Sequence, residues 1–168
     1  MTALVNFWAM IGGLCLALII ALTAVNVGAL AADMALRGWD IRVPGIYGYE
    51  DVVKLLASVA ALAFFPLCQW RGGHVAVGLL IDPAPRWIGR ANRVIAYALT
   101  AGIALFLAWW MAIGALEVRR DGLTTGILEW PQWPFYWPGV VSMLLWALVA
   151  AVMTLNALKG KEAAHGPA

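Results

Sequence analysis

The sequence predicts an all-α integral membrane domain: four transmembrane helices, with a short amphipathic surface segment between the second and third. Three observations predict it. Of 168 residues, 64% are hydrophobic and 12% charged, against about 45–50% and about 25% in soluble domains. A chain this small has too little interior to hide that much apolar surface, so lipid must serve as part of its solvent. Four apolar stretches reach the roughly 20 residues needed to cross the hydrocarbon core. Most of the ten tryptophans fall near the ends of those stretches, where an apolar ring with one N–H donor finds both lipid and water.

The first span covers residues 5–32, and its polar members Asn6, Thr23 and Asn26 are uncharged. Met1 to Val5 holds no Lys or Arg, and the apolar run from Leu4 to Ala32 far exceeds the roughly 7–15 residues of a signal-peptide core. A retained first helix is expected. Gly13, Ala17 and Ala21 form a stripe of small residues that lets a second helix approach closely. Asp33 to Asp51 carries Gly38, Pro44, Gly45 and Gly48 and is expected to turn. The second span covers 52–70, with an Ala57–Ala61 pair, and Pro66 bends its far end by removing a backbone donor. Residues 74–90 form the surface segment: His74 to Ile81 is apolar but too short to span, and then meets Asp82-Pro83-Ala84-Pro85. The third span covers 94–116, with Ala98 and Gly102 repeating the small-residue theme. A Trp- and Pro-rich loop, Glu117 to Trp137, leads to the fourth span, 138–158, and a short polar tail. The whole is one membrane domain, 1–168. Cys15 and Cys68 fall in apolar runs and are expected to be small buried residues rather than a disulfide framework.

Basic residues set orientation. With the N-terminus inside, the cytoplasmic side holds Arg71, Arg86, Arg90, Arg93, Lys159 and Lys161. The opposite side holds Arg37, Arg42, Arg119 and Arg120, with Lys54 at its boundary. Seven acids (Asp33, Asp40, Glu50, Asp51, Glu117, Asp121 and Glu129) fall on that outer side. Both termini are therefore expected in the cytoplasm. Trp8, Trp70 and Trp87 would mark the inner interface and Trp39, Trp130, Trp133 and Trp137 the outer one. Trp109, Trp110 and Trp146 lie deeper, against protein or lipid.

The residues that are missing limit the chemistry. No Asp, Glu, Lys, Arg or His lies in the middle third of any span, whereas an ion path normally leaves such groups inside the helices. The two histidines, His74 and His165, sit in a loop and the tail, so haem ligation between facing helices is not available. No cluster has metal-ligand spacing, and Ser58 and Ser142 have no His nearby in sequence. No cofactor, metal or catalytic activity is expected, and the scattered basic residues exclude a nucleic-acid surface. The two halves share no pattern of broken helices, the mark of an inverted-repeat carrier.

Three stretches carry a resemblance. Gly48-Tyr49-Glu50 opens the second helix, Arg71-Gly72-Gly73-His74-Val75-Ala76-Val77 follows it, and Thr124 to Pro134 runs into Trp137-Pro138-Gly139. In order and spacing they resemble the small permease subunit (DctQ type) of tripartite ATP-independent periplasmic (TRAP) transporters. Length, four spans and the surface segment match as well. One departure is Gly78, where the family often has an acid; the next acid here is Asp82.

The resemblance implies a scaffold subunit in a bacterial inner membrane. It would form a heterodimer with a large TRAP membrane subunit that carries out sodium-coupled uptake of an organic acid delivered by a periplasmic substrate-binding protein. A self-contained transporter or channel oligomer, and a membrane anchor of a redox enzyme, are the alternatives. Glu50 would pair with a partner's basic residue or serve the helix N-terminus. Arg71 and His74 would fix the surface segment on the large subunit or anchor to membrane lipid. Arg119, Arg120 and Asp121 would touch the binding protein or form a solvated loop. Trp130 and Trp133 would form an outer platform or an aromatic belt.

Overall fold

The computed structural model describes residues 1–39, 41–72 and 86–159. The expectations for His74, for residues 73–85 and for the tail beyond Lys159 fall outside them. In chain order the helices are α1 (Thr2–Leu36), α2 (Tyr49–Ala63), α3 (Phe65–Trp70), α4 (Arg86–Arg120) and α5 (Tyr136–Leu158), with single 3-10 turns at Arg37–Trp39 and Trp133–Phe135. Four stretches are long and apolar enough to cross a membrane: Thr2–Trp39, Tyr49–Trp70, Ile88–Arg120 and Trp133–Leu158. The chain is an all-α, multi-pass membrane protein.

Helix ends differ from the expected spans for a physical reason. Hydropathy marks the greasy centre of a helix, not its end. Residues 86–90, assigned from sequence to the surface segment, are the first turns of α4. Arg86–Arg93 holds no proline that would forbid that helix. At about 1.5 Å per residue, the 35 residues of α1 and of α4 are each about 52 Å long. Both exceed the roughly 30 Å hydrocarbon core, so they tilt or project beyond it.

The second span is interrupted where Pro66 predicts a bend. α2 ends at Ala63, Phe64 turns, and α3 restarts with the buried Pro66 in its first turn. The Cys68 N–H donates to the Phe64 carbonyl (2.9 Å) at this break. Cys15 and Cys68 are both half-buried free thiols.

The helices stand in a row, tightened at one end where α1 also reaches α5 through Val5 and Trp8. α1 packs on α2 and α3, these pack on α5, and α5 packs along α4. α5 is the best-covered helix, and α1 and α4 form the two flanks. At the end remote from the long loops, Val5, Val149 and Met153 form a buried cluster, joined by Leu67, Trp70 and Tyr97. Polar ties reinforce it. The Trp146 indole N–H donates to Gln69 Oε1 (3.4 Å), and Gln69 Nε2 donates to Met153 Sδ (3.7 Å). Trp8, expected as an interfacial marker, instead ties α1 to α5: its indole N–H donates to the fully buried Ser142 Oγ (2.8 Å), which donates to the Pro138 carbonyl (2.9 Å). Trp109 and Trp110 are exposed on α4 and face lipid or another subunit.

The helix pairs meet through small residues. On α1 the buried face is Val5, Ala9, Gly12 and then Asn26, and its opening i, i+4, i+7 spacing keeps one stripe of a helix together. A β-carbon at Gly12 would lie 2.9 Å from Ala63 Cβ and 3.3 Å from the Ala60 carbonyl, so the two backbones approach as only glycine permits. Gly13, Ala17 and Ala21 form the adjacent stripe: Gly13 is half-buried and Ala17 and Ala21 are exposed. Ala57, Ala61, Ala98 and Gly102 also lie on or near the outside, while Ala60, Ala63, Ala104 and Ala108 are buried.

Overpacking a close helix contact costs about 1–3 kcal/mol. Gly12→Leu is therefore expected to lower the melting temperature of the detergent-purified chain by several degrees, whereas Ala17→Leu leaves it unchanged. Equal melting temperatures for the two variants would place the α1–α2 contact elsewhere.

Candidate functional site

The long loops 37–48 and 121–135 lie at one end of the row, and acceptor side chains on α1 and α2 hold them. The Val43 N–H donates to Asp33 Oδ1 (3.0 Å), and the Ile46 N–H donates to Asn26 Oδ1 (2.8 Å). Asp33 Oδ2 also accepts from Arg37 at 3.3 Å, a pair one helical turn apart. Asn26 is buried, so its amide replaces water for a backbone donor that would otherwise be stranded against apolar helix.

The second loop depends on Asp51. The N–H groups of Ile127 and Leu128 both donate to its Oδ2, at 2.8 and 2.9 Å. The carboxylate sits in the first turn of α2, where the helix dipole favours negative charge, and hydrogen bonds to a charged acceptor are stronger than neutral ones. Asp51 is only 5% exposed, so the two amides are its replacement for water. Tyr47 hydroxyl donates to the Ile127 carbonyl (3.4 Å), linking the two loops directly. Gly48 opens α2 with φ of 71°, and a β-carbon there would lie 2.5 Å from Leu128. Position 48 therefore demands glycine for both its left-handed backbone and its space.

Loop 121–135 closes on itself as well. Thr125 N–H donates to the Trp130 carbonyl (2.9 Å), Gln132 N–H to Leu123 (3.2 Å), and Leu123 N–H to Val118 (3.1 Å). Trp130 N–H donates to Thr125 Oγ1 (3.1 Å), and Gln132 Nε2 to the Thr124 carbonyl (2.7 Å). The guanidinium of Arg119 lies 5.0 Å over the Trp133 ring, a cation–π contact. The loop then runs back along α2. Residues 127 and 128 sit at Asp51, while Phe135 and Tyr136 line a cleft with Ser58 and Leu62, two to three turns further on. This cleft has a volume of about 490 Å³.

Of the residues singled out from sequence, the structure gathers some here. Glu50 is exposed, one position from Asp51, and projects away from the loop contact. Arg119, Arg120, Asp121, Trp130 and Trp133 border the same end; all but the half-buried Trp133 are exposed. Arg71 is exposed at the end of α3, far along the second span, and Gly13, Ala17 and Ala21 lie on the flank of α1. Sequence reasoning missed Asn26, Asp33 and Asp51. Asn26 was discoverable, because it continues the Val5–Ala9–Gly12 stripe after four further turns. Among the described residues no three of His, Cys, Asp and Glu are placed to hold a metal ion.

Residues 27–160 match the family described as tripartite ATP-independent periplasmic transporters, DctQ component. The chain belongs to the DctQ family. No curated protein and no solved structure matches it. A DctQ component is one part of a transporter that also has a large membrane subunit and a binding protein, and the family is not one of enzymes. The matched stretch includes the acceptors Asp33 and Asp51 and both long loops.

A hydrogen bond to a charged group contributes about 1.5–3 kcal/mol. Asp51→Ala is expected to speed amide exchange at residues 123–132 on the order of 10–100-fold, while Glu50→Gln leaves it unchanged. Hydrogen–deuterium exchange read by mass spectrometry measures both. Equal protection in the two variants would remove Asp51 as the anchor.

Proposed function

We propose that this DctQ component is the static partner of the large TRAP membrane subunit in a bacterial inner membrane. It widens and steadies that subunit during sodium-coupled uptake of an organic acid delivered by the periplasmic binding protein. Both termini lie in the cytoplasm, and the end bearing the two long loops faces the periplasm.

The observation that carries this reading is that charge in the described helices is kept away from mid-membrane. A carrier needs an enclosed path with polar or ionisable groups near mid-membrane. Charges in the described helices lie near their ends, such as Asp33, Lys54, Arg93 and Glu117, and α5 has none. A row with broad apolar faces is suited to lying against another membrane protein. The stripe Gly13–Ala17–Ala21 is available for close helix contact, since α1 uses Gly12 for its own neighbour. Glu50 and Arg71, exposed at opposite ends of the second span, pair with charged groups of the large subunit or with lipid. At the periplasmic end Arg120, Asp121 and Trp130 form the exposed rim of the hydrogen-bonded loop, with the Arg119–Trp133 pair behind it, and together they receive the binding protein.

Reconstitution into vesicles tests the assignment. With the large subunit and the binding protein present, a sodium gradient is expected to drive organic-acid uptake. Omitting this chain abolishes it, and the chain alone transports nothing. Glu50→Gln and Arg71→Ala are expected to reduce co-purification of the large subunit several-fold without affecting membrane insertion. Saturable, sodium-driven uptake by this chain alone would overturn the scaffold role.

A further inference from the structure

The cleft beside α2 originates in the unequal start of the helices. α5 begins only at Tyr136, beside Leu62, so along Asp51–Ser58 the loop, not a helix, lies against α2. The loop leaves a space of about 490 Å³, within the range of about 300–1,000 Å³ typical of small-molecule sites. Its lining is sorted by polarity. Leu55, Leu62, Met111 and Phe135 supply apolar wall, and Lys54, Ser58, Gln132 and Tyr136 supply polar groups.

Besides the Asp51 carboxylate, the charged group that lines the cleft is Lys54. Its side chain is exposed and makes no hydrogen bond or ion pair with a described residue. Asp51, one turn away, feels the Lys54 charge without forming an ion pair with it, and its carboxylate accepts from the Ile127 and Leu128 amides. Ser58 hydroxyl donates to the Lys54 carbonyl (3.1 Å), so it offers no free donor. Gln132 uses Nε2 on the Thr124 carbonyl and keeps its second N–H. An exposed ammonium with no ion pair among the described residues, near the end of a membrane-crossing helix and next to an apolar wall along that helix, matches an amphiphile with an anionic head.

We propose that the cleft holds one anionic phospholipid. Its phosphate sits at Lys54, and one acyl chain lies along Leu55, Leu62, Met111 and Phe135. Lipid in this position covers the apolar wall beside the loop held by Asp51, next to where Leu62 and Met111 meet Gly139 of α5.

Native mass spectrometry of the chain in complex with the large subunit tests this, with phosphatidylglycerol and phosphatidylcholine as probes. Phosphatidylglycerol is expected to be retained about 5-fold more than phosphatidylcholine, the preference one lysine gives. Lys54→Gln should erase the preference, Lys54→Arg keep it, and Leu62→Trp, which fills the apolar part, abolish retention of both lipids. Equal retention of the two lipids by the wild-type complex overturns the proposal even if a variant fails to assemble. So does undiminished retention in Leu62→Trp, the behaviour of non-specific annular lipid, or a cryo-EM map showing a side chain of the large subunit in the cleft.

Discussion

Backbone amides near lipid must find acceptors, and in this chain the connection between α4 and α5 finds its external one in Asp51. The loop satisfies part of its own backbone through Thr125, Trp130 and Gln132. Besides Asp51 it is tied to the first loop only by the longer Tyr47–Ile127 hydrogen bond and the Leu128 contact at Gly48 among the described contacts. The carboxylate joins it to α2, and so joins the α4–α5 pair to the α1–α2 pair at the loop end. Gly48 belongs to the same junction, since its missing side chain leaves room for Leu128. At the other end of the row the Val5, Val149 and Met153 cluster makes the corresponding join by dispersion and exclusion of solvent. There the Trp146–Gln69–Met153 hydrogen bonds supplement the apolar contact, whereas the loop end rests on a charged acceptor.

The parts of the fold that were legible from sequence are those set by hydrophobicity alone. Four spans follow from composition and run length, because lipid leaves the backbone no alternative to helix. The break near Pro66 follows from its missing N–H. What was not legible depends on helix rotation and on contacts distant in sequence. Glu50 and Asp51 are adjacent acids at one helix start, and only the path of a loop 76 residues later decides which is buried. The Gly13–Ala17–Ala21 stripe is as good a packing surface as the Val5–Ala9–Gly12 stripe by residue size. A rotation of one position separates them, and the partner helix makes the choice. Trp8 was assigned to an interface on average preference, which says nothing of a serine 134 positions away.

Family membership and physical form support each other in this DctQ component. Its helices bury little of their own surface: even in α5 half of the most apolar stretch is left open, and in α1 only 6% is buried. A membrane protein gains little by burying apolar side chains against its own helices, because lipid is equally apolar. Specific contact must come from close backbone approach, hydrogen bonds or shape. This chain shows the first two internally, at Gly12 and at Trp8–Ser142, and presents the third outwardly as a broad row.

The helices of that row are of unequal length. α1 has 35 residues and α5 has 23, about 52 Å against about 34 Å. A bilayer of uniform thickness can match α5 nearly upright, but matches α1 only if that helix leans steeply. Where α1 and α4, the two flanks, neither lean nor project beyond the bilayer, the lipid beside both must thicken. Such mismatch costs fractions of a kcal/mol per ångström, so flanks this much longer than α5 favour leaning or projection over a thickened bilayer.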